Sequence, residues 1–353
     1  MEDKKVTFFF INDKKRIKQP FIRRDLELIS KVVKIICYTN IPILSDYIKN
    51  LLILPKLIKS ARKSDFIYGW RLYNYLAMLV GIFAKKPVIL VAAGSDTAYL
   101  PKIKYGEFYH PLKKMIIKFN LKFTHHIRFV DIHLKTQLEN NINKNIKSYS
   151  ILPTFYDSEF WIPGTKERKY ILTVSTNFRE NKQEFFTRFL VKGIDRFLKL
   201  AKRFPEEEFL LIGYDFSIFK KYIKNIPTNF KVIEKLSKRE LLNYYQQTKV
   251  YCQFSRHEGL PNAVCEAMLC GCNIITSNEK GILTAVNNFG IIINFQKEDI
   301  WKSEISELFL KILNNKGQIN IKGRKHVIRN FDKQTFIKRF TNRLLNNLNI
   351  LYS

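Results

Sequence analysis

The stretch S-R-H-E-G-L-P-N-A-V-C-E-A-M-L-C-G (255–271) has the residue types and spacing of a ligand loop. An apolar strand pattern ends before it, at Phe254, and a helical pattern follows it. Pro261 stands where the helix would begin, a position where a missing N–H costs nothing. The start of such a helix offers free N–H groups and the positive end of a dipole, which suits phosphate. Gly259 brings no side chain to block a close approach. Glu266 would fall on the second turn, where a carboxylate can accept two hydroxyl hydrogen bonds, as from a ribose. Glu258 would sit at the strand tip beside the anion. The plain alternative is a strand–loop–helix with two solvated glutamates. The embedded G-x-P and E-A-M favour the ligand loop.

Other reactive residues fit no site. His125, His126 and His133 lack a metal spacing and straddle a strand and a helix. Cys265, Cys270 and Cys272 lack the C-x2-C pairs of a zinc site, and the first two read as small buried residues. Asp157-Ser-Glu159 is the nearest approach to an Asp-x-Asp pair and falls in a linker. No metal is expected.

Elements able to position the loop alternate regularly along the chain. Strand patterns run at Val6–Ile11, Val32–Tyr38, Asp65–Tyr68, Pro87–Ala93, His126–Val130 and, weakly, Lys147–Leu152. Helical patterns lie between them, at Arg23–Ser30, Ser45–Arg62, Leu72–Phe83, Pro111–Phe123 and Ile132–Asn140. The alternation restarts at Tyr170 and continues to Ile293. It predicts an α/β fold of two doubly wound domains in tandem with a cleft between them. The expected division is a domain over 1–152, a linker over 153–169, a domain over 170–330 and a C-terminal helix within 331–353. That helix could pack back on the first domain. Ligands of such sheets bind beyond the carboxyl ends of the strands. The loops after Ala93, Ser175, Gly213 and Phe254 are the places to look.

The 353 residues carry a formal charge of +30, with net +17 in residues 1–150 and +13 in the rest. An apolar share of 46% excludes a disordered chain. The charge points to an anionic partner. No zinc-finger, RNP or K-homology motif accompanies it, so no specific nucleic acid is expected. Five cysteines are too few for a disulfide framework. The N-terminal apolar run is short and charged on both sides, unlike a signal peptide. Leu76–Ala84 is too short for a bilayer span of roughly 20 residues. A cytoplasmic protein is expected. Lys49, Lys56, Lys59, Arg62 and Lys63 line one apolar-rich segment, which could hold the chain at the cytoplasmic face of an anionic membrane.

Glu258–Glu266 with its inner G-x-P, followed by Ala267, Met268 and Gly271, resembles the signature of the retaining GT-B glycosyltransferases, family 4 (glycosyltransferase group 1). Residues 237–251 resemble the helix and strand that precede the signature, and 277–282 the loop that follows it. V-K-G-I-D-R-F-L-K-L (191–200) resembles the family's K-G-x-D segment. The resemblance implies GT-B architecture, two Rossmann-like domains facing across a cleft. It implies a nucleotide-diphosphate sugar as donor, UDP- or GDP-linked, with no cofactor. Lys192 matches the family lysine that holds the diphosphate. Its arginine partner is Arg188 or Arg179, Arg188 being preferred because it stands closer to Lys192. Glu258 would orient the donor sugar or stabilise its cationic carbon. Gly259, Leu260, Pro261, Asn262 and Glu266 would line the donor site.

P-V-I-L-V-A-A-G-S-D-T (87–97) resembles the loop lining the acceptor cleft, which makes Gly94, Ser95 and Asp96 acceptor-side candidates. Y-S-I-L-P-T-F-Y-D-S-E-F-W (149–161) resembles the family's domain hinge. The implied acceptor is a glycan or a lipid-linked glycan, in cell-surface polysaccharide or glycoconjugate synthesis. A sugar-nucleotide epimerase of the same fold fits these segments less well.

Overall fold

The computed structural model describes residues 6–11, 20–39, 52–296, 304–314 and 318–345. They form two compact units. The first comprises the described residues up to Pro101, Tyr105–Phe155 and those from Lys333. The second is Tyr156–Asp332 with Lys102–Lys104.

In the first unit β1 (Val6–Ile11), β2 (Lys34–Thr39), β3 (Phe66–Trp70), β4 (Val88–Ala92), β5 (His126–Phe129) and β6 (Tyr149–Ile151) form one sheet. Its order is β2-β1-β3-β4-β5-β6, and every pairing is parallel. Parallel strands are covered on both faces, which explains the unbroken apolar runs F-I-Y-G-W and V-I-L-V-A. Of the segment expected to seek a membrane, residues 45–51 lie outside the described residues. Helix Leu54–Ala61 buries Leu57 and Ala61, as an ordinary crossover helix does.

The C-terminal segment belongs to this unit. The single helix expected there is a helix at Lys333–Arg339 followed by a π-helical stretch at Phe340–Leu345; residues 346–353 lie outside the described ones. Phe336 packs on Phe155 with ring centroids 5.0 Å apart, and Phe340 meets Tyr68 at 6.4 Å. Arg128 lies wholly buried beneath. Its Nη1 donates to both Asp25 carboxylate oxygens (2.9 and 2.7 Å) and to the Tyr68 hydroxyl, and its Nε to Leu152 O.

In the second unit β7 (Tyr170–Asn177), β8 (Glu208–Tyr214), β9 (Phe230–Ile233), β10 (Thr248–Gln253), β11 (Asn273–Ser277) and β12 (Ile291–Ile293) form a parallel sheet of order β12-β11-β10-β7-β8-β9. Its core is aromatic, with Phe185, Phe197, Phe209, Phe219, Phe230 and Phe309 buried together. Helix Lys182–Val191 follows β7. Asn181 caps it by accepting from Glu184 N (3.1 Å). Phe185 and Phe189, one turn apart, hold it to the core.

The expected linker over 153–169 is irregular but not a free tether. Tyr156 N donates to Phe331 O (2.8 Å), and Tyr156 bridges Asp332. Trp161 is buried, and Arg324 donates to Trp161 O (2.6 Å) and Ser158 O (3.0 Å). Those bonds tie the chain from Tyr156 onward into the second unit. Among the described residues no helix is long and apolar enough to cross a membrane.

Candidate active site

In the second unit the ligand loop joins β10 to helix Asn262–Leu269. Pro261 is the residue before the helix, one position earlier than the sequence suggested, and no side chain caps the helix there. Its first N–H groups and dipole are left facing the loop. Gly259, Leu260 and Pro261 are buried in the loop wall. Asn262 accepts from the Tyr156 hydroxyl through Oδ1 (2.9 Å), so its side chain fixes the loop to the start of the unit. Glu266 is half-buried on the second turn.

Glu258 is buried, and its Oε1 accepts from Lys192 Nζ (2.5 Å), Ser255 Oγ (2.7 Å) and Gln253 Nε2 (3.1 Å). Gln253 is oriented in turn by the Tyr251 hydroxyl, which donates to its Oε1 (2.7 Å). Burial alone would raise the Glu258 carboxyl. Lys192, the Ser255 hydrogen bond and Arg188 outweigh it and hold the group below the usual carboxylate range. Burial pushes the Lys192 ammonium down from its usual value; Glu258 pulls it back and Arg188 adds to the push. The result is a cation fixed at the end of helix Lys182–Val191 and an anion fixed in the loop after β10.

Helix Lys182–Val191 supplies both cations of this cluster. Lys192 is its C-terminal capping residue, and Arg188 lies one turn earlier on the same side. Arg188 Nε donates to Thr176 O (3.2 Å), which draws it over the end of β7. Arg179 is exposed instead and pairs with Glu184 at 3.6 Å. The structure thus brings Glu258, Lys192 and Arg188 together and leaves Arg179 outside the cluster.

Three supports of the cluster were given no role of their own by the sequence, although two of them stand in the K-G-I-D segment. Gly193 has φ +67°, and a Cβ there would lie 2.0 Å from Phe254 O, so only glycine lets this turn meet the end of β10. Asp195, the acid of K-G-I-D, takes Arg256 in a bidentate pair (2.8 and 2.6 Å), which clamps the lysine turn to the ligand loop. His257 is buried beside Glu258 with Nδ1 3.5 Å from Glu279. The adjacency of Arg256 and His257 to Glu258 was their only sequence signal.

In the first unit the loop after β4 carries the other candidates. Gly94 has φ +127° and is buried. Asp96 is fully buried, and its carboxylate accepts from Arg71 Nη1 (3.0 Å), Leu72 N (3.1 Å) and Ala93 N (3.0 Å). Its side chain is therefore engaged in shaping the loop. Ser95 Oγ accepts from Arg71 (3.2 Å) and donates to Glu107 Oε1 (3.2 Å). Arg71 itself has φ +85°, a conformation rare outside glycine. It organises this loop and carried no sequence signal.

No group of three or more His, Cys, Asp or Glu among the described residues could hold a metal ion. Cys252, Cys265, Cys270 and Cys272 are buried free thiols. His126 is buried, with its ring nitrogens on Ser148 and Ser150.

The family profile described as glycosyl transferases group 1 matches residues 158–334. No curated protein matches the chain by sequence. Solved structures do match its fold. HepE of Anabaena, solved in complex with UDP and glucose, aligns with a TM-score of 0.69 at 13% identity, covering 96% of this chain and 99% of its own. Sucrose-phosphate synthase of Thermosynechococcus elongatus aligns at 0.70 and 14%, covering 99% and 100%. A glycosyltransferase of Rickettsia africae aligns at 0.68 and 13%, covering 99% of each.

Proposed function

The chain belongs to the glycosyl transferases group 1 family, and from that premise we propose that it moves a sugar from a nucleotide-diphosphate donor to a glycan or lipid-linked acceptor with retention at the anomeric carbon. The observation that carries this reading is the Lys192–Glu258 pair, with Arg188 one turn away, beside the uncapped start of the helix bearing Glu266. A UDP-linked donor is supported by HepE, solved with UDP and glucose. Synthesis of a surface polysaccharide or glycoconjugate is the setting this acceptor class fits.

The difficult step is departure of the nucleoside diphosphate. The bond from the anomeric carbon to the phosphate oxygen breaks, and its electron pair leaves with the phosphate. Lys192, Arg188 and the helix N–H groups are fixed charges and dipoles set where that negative charge grows, which is the main catalytic term. The acceptor oxygen bonds to the same face of the carbon, and its proton passes to the leaving phosphate. This route needs no protein base, in keeping with the engaged carboxylate of Asp96. Glu258 orients the donor sugar and stabilises the cationic carbon. Glu266 holds the ribose.

The two glutamates should separate kinetically. Glu258→Gln should lower kcat more than it alters donor KM, because its partner is the reacting sugar. Glu266→Gln should raise donor KM with kcat little changed, because the ribose does not change during reaction. Equal loss of kcat from both substitutions would overturn this division of roles.

Ligand binding tests the donor class directly. UDP or GDP at 100 times its dissociation constant should stabilise the fold by about 2.7 kcal/mol in a thermal-shift panel. Silence from every nucleoside diphosphate would sink the donor assignment. EDTA should leave transfer intact, the diphosphate being countered by Lys192, Arg188 and the helix dipole. Activity lost to EDTA and restored by magnesium or manganese would show that an ion carries that task.

A further inference from the structure

Helix Pro111–Phe123 is amphipathic in an unusual sense, because its exposed side is partly apolar. Ile117 and Asn120 face the first unit, and Asn120 Nδ2 donates to Leu72 O (2.8 Å). The opposite side carries Leu112, Met115, Phe119 and Phe123, all exposed, Met115 to 61%. Met115, Phe119 and Phe123 repeat at one-turn spacing and form a row along the helix. Lys114, Lys118 and Lys122 repeat in step with them and form a second exposed row alongside. The helix P-L-K-K-M-I-I-K-F-N-L-K-F has no acidic residue.

The surface continues beyond the helix. Phe83, 54% exposed, lies in the last turn of the neighbouring helix Tyr75–Ala84. Between the ends of the two helices opens a cavity of about 680 Å³, lined by Ile82, Lys85, Lys86, Lys122, Phe123 and His125 among others. Burial lowers the His125 ring from its usual value, so the lysines supply the cavity's charge at neutral pH.

We propose that this face of the first unit docks on an anionic lipid bilayer. The apolar row enters the boundary between headgroups and acyl chains, the lysine row meets headgroup phosphates, and the cavity takes a headgroup between Lys85, Lys86 and Lys122. The side-by-side rows argue for a bilayer over other occupants. A bilayer offers an apolar layer and an anionic layer within the 5–10 Å depth that such a helix samples, and lysines beside an apolar stripe reach outward to the phosphates. A second copy meeting this face symmetrically would set the lysine row against itself. The helix is a different one from the segment the sequence pointed to.

The test uses the full chain without donor or acceptor, so its outcome is separate from that of the transfer reading. Co-sedimentation is measured with phosphatidylcholine vesicles and with phosphatidylcholine–phosphatidylglycerol vesicles, at low and at physiological salt. The wild type should bind only the anionic vesicles, and less as salt rises. Lys114→Glu/Lys118→Glu/Lys122→Glu should lower the partition coefficient on the order of a hundredfold. Met115→Ser/Phe119→Ser should remove the binding that survives physiological salt. Lys202→Glu/Lys221→Glu/Lys235→Glu, an equal charge change at exposed sites of the second unit, should bind as wild type does. Phe119→Trp should shift its emission to the blue with anionic vesicles, which keeps the test valid if a multiple variant folds poorly. No binding at low salt, equal loss in the second-unit control, or a dimer in sedimentation equilibrium that Phe119→Ser breaks would each overturn the proposal.

Discussion

Lys192→Ala should lower kcat about 100- to 1,000-fold, a loss of roughly 2.7–4 kcal/mol of transition-state stabilisation by comparison with other preorganised groups at a developing anion. Two effects combine. The leaving diphosphate loses a cation that helix Lys182–Val191 holds in place, its side chain only 15% exposed. Glu258 also loses its counter-charge while staying buried. Lys192 helps keep that carboxyl below its usual range against the pull of burial, so without it the carboxyl must titrate at higher pH. The sign is therefore fixed: the acid limb of the kcat/KM profile should move upward in the variant, and a bystander lysine would not move it. A double-mutant cycle separates the two effects. In a Glu258→Gln background Lys192→Ala should still be costly, because the leaving group still needs the cation. Full activity in Lys192→Ala, or no further loss in the double variant, would remove Lys192 from the leaving-group site. Arg188→Ala should lower activity and Arg179→Ala should not, since Arg179 is engaged with Glu184 outside the cluster.

Much of this site was legible because it is local. Glu258, Pro261 and Glu266 lie within one strand–loop–helix, and period and turn chemistry place them without any long-range contact. Lys192 was found by resemblance, but its helix was missed. The signal was present: Asn181 three residues before Glu184, then apolar pairs at 185–186 and 189–190, one turn apart. The supports that were not legible are the non-local ones. Nothing in the spacing of Asp195 and Arg256 announces a bidentate pair, and Gly193 reveals its necessity only once Phe254 lies against it. Asp96 shows the converse. Resemblance of its loop to the one lining the acceptor cleft made it an acceptor-side candidate, and only the fold shows that its carboxylate accepts from three donors of its own unit. The second unit's limits depended likewise on a pairing between Tyr156 and Asp332 that no local pattern encodes.

Asp25→Ala should destabilise the first unit by about 3–5 kcal/mol, the cost of stranding one member of a buried ion pair. Arg128 and Asp25 have side chains 0% and 2% exposed, so water cannot take the place of the missing carboxylate. The remaining partners of the guanidinium are weaker: the Tyr68 hydroxyl, Leu152 O, and the faces of Phe336 (5.0 Å) and Trp70 (5.7 Å). Nη2 of Arg128 is buried without a hydrogen bond even in the intact protein. Tyr68→Phe should cost only about 1 kcal/mol, since the pair survives it. Asp25→Leu/Arg128→Met should recover most of the loss, because removing both charges also removes the desolvation penalty that their attraction offsets. Two units need not unfold together, so the measurement must report on this one. Trp70 lies beside Arg128, and Trp161→Phe/Trp301→Phe leaves it as the lone tryptophan of the three. Urea unfolding followed by Trp70 emission then reads the first unit alone. An unfolding free energy for Asp25→Ala within about 1 kcal/mol of the parent's would show that the pair is dispensable, and that Phe336, Phe340 and Leu344 hold the C-terminal segment to the sheet by apolar packing alone.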